Sequence, residues 1–199
     1  ARVRNPADFQ ALEDGTIVQG GSARMVPGSY VFDGEHGGQP ILAHDQDLPK
    51  PDLEQYDRYL AAAALTEERI RDIAGFLRRV RESTDRAVFC PDLLGSRMGI
   101  GAHGGIGIFP MLCLLEPDYV RELHEVTIGH VLADVRALLP EIRDYVDIVM
   151  THCDDWGTQN TTIASPDVYR TLFLPYLRRL NDEVHRLAPA VKTFIHTCG

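Results

Sequence analysis

The chain has 199 residues, 44% of them hydrophobic, which is enough for one globular core and not comfortably for two. Its net charge of −9, with no basic stripe to interrupt the acidity, excludes a nucleic-acid partner, because phosphate recognition needs a basic surface. No apolar run approaches the roughly 20 residues needed to cross a bilayer, so a membrane-spanning helix is excluded as well.

The first residues, Ala1-Arg2-Val3-Arg4-Asn5-Pro6, lack the apolar stretch and cleavage pattern of an export signal, and the expected location is the cytoplasm. Four widely spaced cysteines (Cys90, Cys113, Cys153, Cys198) then argue against a disulfide framework, so each is a core residue or a site residue. The chain starts without Met and stops directly after a strand-like run, and it is expected to be a piece of a longer protein.

Residues 1–60 form a first region, irregular and rich in glycine. Short extended candidates at 16–19, 29–32 and 40–43 lie between Gly and Pro turns and predict a small antiparallel ribbon. Leu48-Pro49-Lys50-Pro51 reads as the start of a linker. Residues 61–199 form the second region. Thr66 is placed to cap a helix with Ile70, Ile73, Phe76, Leu77 and Val80 on one face. A buried strand is predicted at 87–90, followed by a glycine-rich loop over 95–107.

A second helix starts near Pro117, with Val120, Leu123, Val131, Val135 and Leu138 on its apolar side. A strand is predicted at 145–150. Ser165 and Pro166 then open a third helix whose stripe is Leu172, Phe173, Tyr176, Leu177, Leu180, Val184 and Leu187, with a kink expected at Pro175. A last strand follows at 191–195. Helices alternating with short apolar strands predict an α/β fold with a parallel sheet.

In such folds the chemistry sits past the carboxyl ends of the strands. That rule selects the glycine loop, the run Thr151-His152-Cys153-Asp154-Asp155, and the final His196-Thr197-Cys198-Gly199. His196 and Cys198 alternate on an extended segment, so both are expected on one face, as half of a tetrahedral zinc site. A packed thiol and a hydrogen-bonded imidazole would account for the same pair. Of His152 and Cys153 on the neighbouring strand, at most one is expected to face His196. Asp154 and Asp155 are candidates for acid, base or histidine-orienting roles, with a simple turn as the alternative.

The run Gly99-Ile100-Gly101-Ala102-His103-Gly104 matches a dinucleotide fingerprint in letters alone, because it neither leaves a strand directly nor opens a helix. It reads as a flexible mouth loop with His103 in solvent.

Four pieces in order, Asp154-Asp155-Trp156-Gly157-Thr158-Gln159-Asn160, Ser165-Pro166-Asp167-Val168-Tyr169-Arg170, Phe173-Leu174-Pro175-Tyr176 and His196-Thr197-Cys198-Gly199, resemble the middle of uroporphyrinogen decarboxylase-like proteins. The likeness is strongest from Leu112 onward. It implies an eight-stranded (β/α) barrel of the TIM type, with about the first half present here behind the N-terminal ribbon.

The arginine-bearing N-terminal motif of true decarboxylases is not found, and Arg2 and Arg4 do not match it. The chain is more similar to the corrinoid-dependent, methylcobalamin:coenzyme M type of methyltransferase. That branch implies His196 and Cys198 as Zn²⁺ ligands with a third ligand beyond Gly199. It also implies a methylcobalamin-bearing corrinoid protein as partner and a small thiol or pterin as methyl acceptor, with Asp154 and Asp155 of the strand-end loop the candidate catalytic residues.

Two other readings stand beside it. One is metal-free decarboxylation of a porphyrinogen, a lyase reaction with Asp155 facing the pyrrole nitrogens. The other is a non-catalytic scaffold or binding fragment. A half-barrel with open sheet edges is expected to be inactive alone and to self-associate.

Overall fold

A computed structural model describes residues 9–19, 23–28, 48, 50–91, 94–157 and 160–197. It falls into two compact units, Ala1–Asp47 and Leu48–Gly199. The first holds three antiparallel strands, β1 (Phe9–Ala11), β2 (Ile17–Gln19) and β3 (Ala23–Met25), paired in that order. The turn joining β1 to β2 closes through Leu12 N–H on the Thr16 carbonyl at 2.8 Å, with Gly15 at φ +84°. The extended segment expected at 16–19 is β2, while those expected at 29–32 and 40–43 lie outside the described residues.

In the second unit, α1 (Leu53–Ala62) occupies the segment read as linker. Asp52 caps it by accepting from Gln55 N–H at 2.7 Å, directly after Pro51. Its apolar face is narrow, and only Leu60 is fully buried, which is why the periodicity was faint. Helix α2 (Glu67–Ser83) begins where expected, with the Thr66 hydroxyl accepting from Arg69 N–H at 3.2 Å. After β4 (Phe89–Cys90) and the glycine loop comes a short helix missed in the sequence, α3 (Phe109–Leu115). The long α4 (Pro117–Ile142) follows at once and is the spine of the core. Every residue of its predicted stripe is buried, and Leu139 and Ile142 extend it.

Strand β5 (Ile148–Cys153) starts three residues later than predicted. Asp147 is held at the sheet's lower edge instead: its carboxylate accepts from Val88 N–H at 2.7 Å and pairs with Arg81. The strand then continues through Thr151 and His152 because both polar side chains find partners inside. Next come α5 (Pro166–Val168), capped by Ser165, and a π-helical turn at Tyr169–Phe173. Helix α6 (Leu174–Leu187) follows, then β6 (Lys192–His196).

Pro175 does not kink a continuous helix as expected; it sits in the first turn of α6, after the wide turn has absorbed the change. The Leu172 carbonyl there accepts from Nδ1 of the buried His124 at 2.7 Å.

Strands β4, β5 and β6 form a parallel sheet in chain order, so the unit is mixed α/β. One face, carrying Cys90, Val149 and the approach residue Val191, is buried with the helices. The other carries Phe89 and Phe194, each 44% exposed and in edge-to-face contact at 5.4 Å. No helix among the described residues is long and apolar enough to cross a membrane.

Two substitutions probe this scaffold. Thr66→Ala removes the α2 cap and is expected to lower stability by about 1 kcal/mol in denaturant unfolding. An unchanged midpoint would mean that the cap contributes nothing. Between α4 and α6, Glu183 bonds Arg186 and Arg136, and these hydrogen bonds hold its carboxyl down at about 2, from an ordinary 4.5. A depressed carboxyl stabilises fully above its unfolded value and loses that contribution as pH falls through the folded one. Glu183→Gln is therefore expected to be less stable than the parent at pH 7, with the two converging as the pH drops from 4.5 towards about 2. Unfolding curves that stay parallel over that window would contradict it.

Candidate functional site

The carboxyl end of β5 is where polar groups gather, and each is placed by a different element. Thr151 donates from its hydroxyl to Asn181 Oδ1 on α6 at 2.9 Å, and its carbonyl accepts from Ser96 N–H at 2.9 Å, docking the loop after β4. The Ser96 hydroxyl lies 2.9 Å from Nδ1 of His152. Asp154 then reaches over the loop, its carboxylate accepting from Ile100 N–H at 2.5 Å, while its own N–H donates to the His196 carbonyl at 3.1 Å.

The glycine loop is therefore held down rather than free. A Cβ at Gly99 would meet Asp154 Oδ1 at 3.0 Å, so glycine is what allows the carboxylate to close on the backbone. Gly104, at φ +77°, would place a Cβ 2.9 Å from the Ile108 side chain. His103, expected in solvent, instead packs edge-on between Tyr56 and Phe109 at 5.2 and 5.1 Å, and burial lowers its pKa. Arg97 takes a left-handed backbone (φ 56°) and pairs with the buried Asp134 of α4 at 2.9 Å. Asp134 also accepts from Leu65 N–H at 3.0 Å, tying three segments together.

His152 is only 3% exposed, and burial drives its pKa down to about 4, so it is neutral at physiological pH. Ser96 Oγ accepts from Met98 N–H at 3.3 Å, and the Met98 carbonyl is farther, at 3.5 Å. The Ser96 hydroxyl can donate to Nδ1 or accept from it, so the contact is satisfied in either tautomer of the ring. The other ring nitrogen, Nε2, is buried and has no hydrogen-bond partner among the described residues. A buried polar atom left without a partner costs about 1–3 kcal/mol. His152 forms part of the wall of two cavities. The first, about 290 Å³, lies against Ser96, Arg97, Asp134 and Cys153. The second, about 280 Å³, lies against Trp156, Tyr169 and Ile195.

Asp154 is the inner of the two candidate carboxylates. Burial pushes its carboxyl up, the Ile100 N–H opposes that, and the neighbouring Asp155 charge adds to the rise. Asp155 is exposed and stands 3.5 Å from Nε2 of His196, itself 46% exposed at the end of β6. A β-bulge after Met150 puts Cys153, an exposed thiol, rather than His152 in register with His196. Cys198, expected as the second zinc ligand, lies outside the described residues. Among the described residues no three His, Cys, Asp or Glu side chains are grouped to hold a metal ion. Cys90 and Cys113 are core thiols, burial raising both and the latter to about 12.

The structure thus brings Asp155, His196 and, by register, Cys153 to one rim, and gives Asp154 a loop-holding place beside it. Neither the Ser96–His152 pair nor the Asp154–Ile100 bond was foreseen. Their partners are 56 and 54 residues apart, and no spacing rule covers such distances.

No family model matches the chain, no curated protein matches it, and no solved structure matches it.

Removing the Asp154 carboxylate should release the loop. In Asp154→Ala the Ile100 amide is expected to exchange at least about tenfold faster, as fits a charge-assisted bond, with protection in α4 unchanged. Equal exchange at Ile100 in the two proteins would show that the loop is held by something else.

Proposed function

We propose that this chain carries part of a (β/α)-barrel active site of the uroporphyrinogen decarboxylase-like type. Its proposed reaction is zinc-dependent methyl transfer from a methylated corrinoid protein to a small acceptor. The observation that carries the proposal is the rim at the carboxyl ends of β5 and β6, where Asp155 stands 3.5 Å from an exposed His196 and Cys153 is its register partner on the neighbouring strand. Two features of the scaffold favour a barrel over an open doubly wound sheet. The three strands neighbour one another in chain order with no reversal, and the face away from the helices carries large apolar side chains such as Phe89 and Phe194.

The side chains present fit a zinc-binding role. An imidazole with a carboxylate against one ring nitrogen is the arrangement that orients metal-bound histidines, and the exposed thiol of Cys153 adds a sulfur donor on the adjacent strand. His196 and Cys198 would hold the ion, with Cys153 the nearest further donor by register. Bound zinc would supply Lewis acidity that favours the thiolate form of an acceptor thiol.

The chain's own residues do the rest. Asp155 fixes the orientation of His196. Asp154 keeps the 99–105 loop against the strand ends, shielding one side of the rim from water. Burial weakens the acidity of the Asp154 carboxyl, the direction that suits a group exchanging a proton at the rim.

The test is zinc content and methyl transfer together. The full-length protein is assayed for bound zinc by elemental analysis and for thiol-dependent demethylation of methylcobalamin by its absorbance. The expected result is zinc in the parent, loss of zinc and turnover in His196→Ala, and an approximately 10–100-fold weaker zinc affinity in Asp155→Asn. A protein that turns over porphyrinogen without zinc would move the assignment to decarboxylation. Unchanged zinc in a folded His196→Ala chain would remove the transferase reading.

A further inference from the structure

We infer that the cavity of about 290 Å³ at the carboxyl end of β5 is a binding site for a small monocarboxylate, anchored by the guanidinium of Arg97. Its reachable wall is formed by Gly95, Arg97, Gly99 and Cys153, with Asp134 and Met150 behind them.

The anchor is a cation with donors to spare. Of the five guanidinium N–H groups, the structure commits one, through which Nη2 donates to Asp134 Oδ2 at 2.9 Å. Nε and Nη1 have no acceptor among the described residues. Whichever hydrogen of Nη2 is engaged, the other makes a two-pronged edge with Nε–H or with a hydrogen of Nη1. Such an edge is the shape that the two oxygens of a carboxylate match. The Arg97 side chain is 37% exposed and is the one Lys or Arg among the residues that form the cavity. Among the described residues other than glycine, Arg97 alone has a left-handed backbone, so the loop holds this guanidinium at the wall at a conformational cost.

The other polar groups of the wall are occupied or add to the same preference. The Ser96 hydroxyl is engaged by Met98 N–H and by His152, and Nε2 of His152 is buried beyond a ligand's reach. Asp134 Oδ1 accepts from Leu65 N–H while Oδ2 holds Arg97. The N–H groups of Gly95, Arg97 and Gly99 donate to nothing among the described residues and are further donors on the same loop.

Asp134 limits the charge of the guest. A guanidinium already shared with one carboxylate can accept a second single charge, whereas a phosphate dianion would enter with no further cation to meet it. Volume limits the size, since a cavity at the lower end of the small-molecule range suits an acid of a few carbons. Neither zinc nor methyl transfer enters the inference, so the two readings can fail separately.

Propionate, propionamide and inorganic phosphate are titrated into the full-length protein at constant ionic strength, with a chelator present to keep the rim free of zinc. The ¹⁵N resonance of Arg97 Nε–H is followed. Propionate is expected to move it saturably and to bind at least about tenfold more tightly than the isosteric propionamide, as fits a charge-assisted bond. Phosphate should bind more weakly than propionate.

Cys153, an exposed thiol on the same wall, supplies a second readout. Iodoacetate and iodoacetamide both alkylate a thiolate with loss of iodide, and only the first carries a carboxylate. The ratio of their rates at Cys153, read by peptide mass, cancels the reactivity of the thiol itself. Arg97→Asn removes the guanidinium with a residue that tolerates left-handed backbone, and should lower that ratio about tenfold.

Equal affinities for propionate and propionamide, tighter binding of phosphate, or an Arg97 resonance that propionate does not move saturably overturn the proposal. So does an unchanged alkylation ratio in a folded Arg97→Asn chain. The three titrations are complete in the parent protein and stay decisive if that variant does not fold.

Discussion

Strand β5 runs from apolar residues into Thr151 and His152, with Asp154 just past its end, and accommodating these polar groups is the constraint around which the second unit is organised. A buried hydroxyl, imidazole or carboxylate must be given partners, and here each partner comes from a different part of the chain. Asn181 of α6 takes Thr151, Ser96 of the β4 loop takes His152, and Ile100 takes Asp154. The backbone of the same strand end bonds Ser96 on one side and His196 on the other. Satisfying these three residues and the strand-end backbone therefore positions the glycine loop, α6 and β6 relative to one another, and sets the geometry of the rim.

The helices supply the apolar counterpart. Twelve residues of α4 are buried, and they contact α1, α2, α3 and α6. Its one buried carboxylate, Asp134, is answered by Arg97 and by the Leu65 N–H, so even the spine of the core is tied to the loop above the sheet. The strained left-handed backbone at Arg97 follows from this pairing, because the loop must bring its guanidinium onto α4 while Ser96, one residue earlier, faces β5. Two neighbouring residues thus serve two separate buried polar groups.

The division of labour between the two carboxylates follows from their depth. Asp154 is turned inward onto a backbone amide, and a group so engaged shapes the loop. Asp155, one residue on, is turned outward to His196. Adjacent residues leaving a strand alternate in direction, so one sequence feature, a pair of aspartates, becomes two unlike functional positions. The same alternation, interrupted by the bulge after Met150, buries His152 and leaves the Cys153 thiol exposed.

Much of the scaffold could be read from local pattern. Thr66 and Ser165 announced helix starts because a cap is a contact made within three residues. The stripes of α4 and α6 were legible because burial on one face repeats at the helical period. The parallel α/β character followed from the alternation of helices and short strands, and the rule that chemistry lies at strand carboxyl ends pointed to the loops where buried polar groups gather. What failed locally had weak periodicity or exchanged partners at a distance: α1 with its single fully buried residue, the short α3, and the late start of β5. Pro175 belongs here too, since the strain of a proline was absorbed by a wide turn whose carbonyl His124 satisfies from another helix.

Sequence by itself therefore determined which segments are helix or strand and which residues are apolar enough to be inside, since both depend on neighbours a few positions apart. Only the tertiary structure decided which nitrogen of His152 is left without a partner, which aspartate faces in, and which residue of β5 stands beside His196. Those outcomes depend on contacts between residues about 40 to 60 positions apart, and on a one-residue bulge that shifts the register.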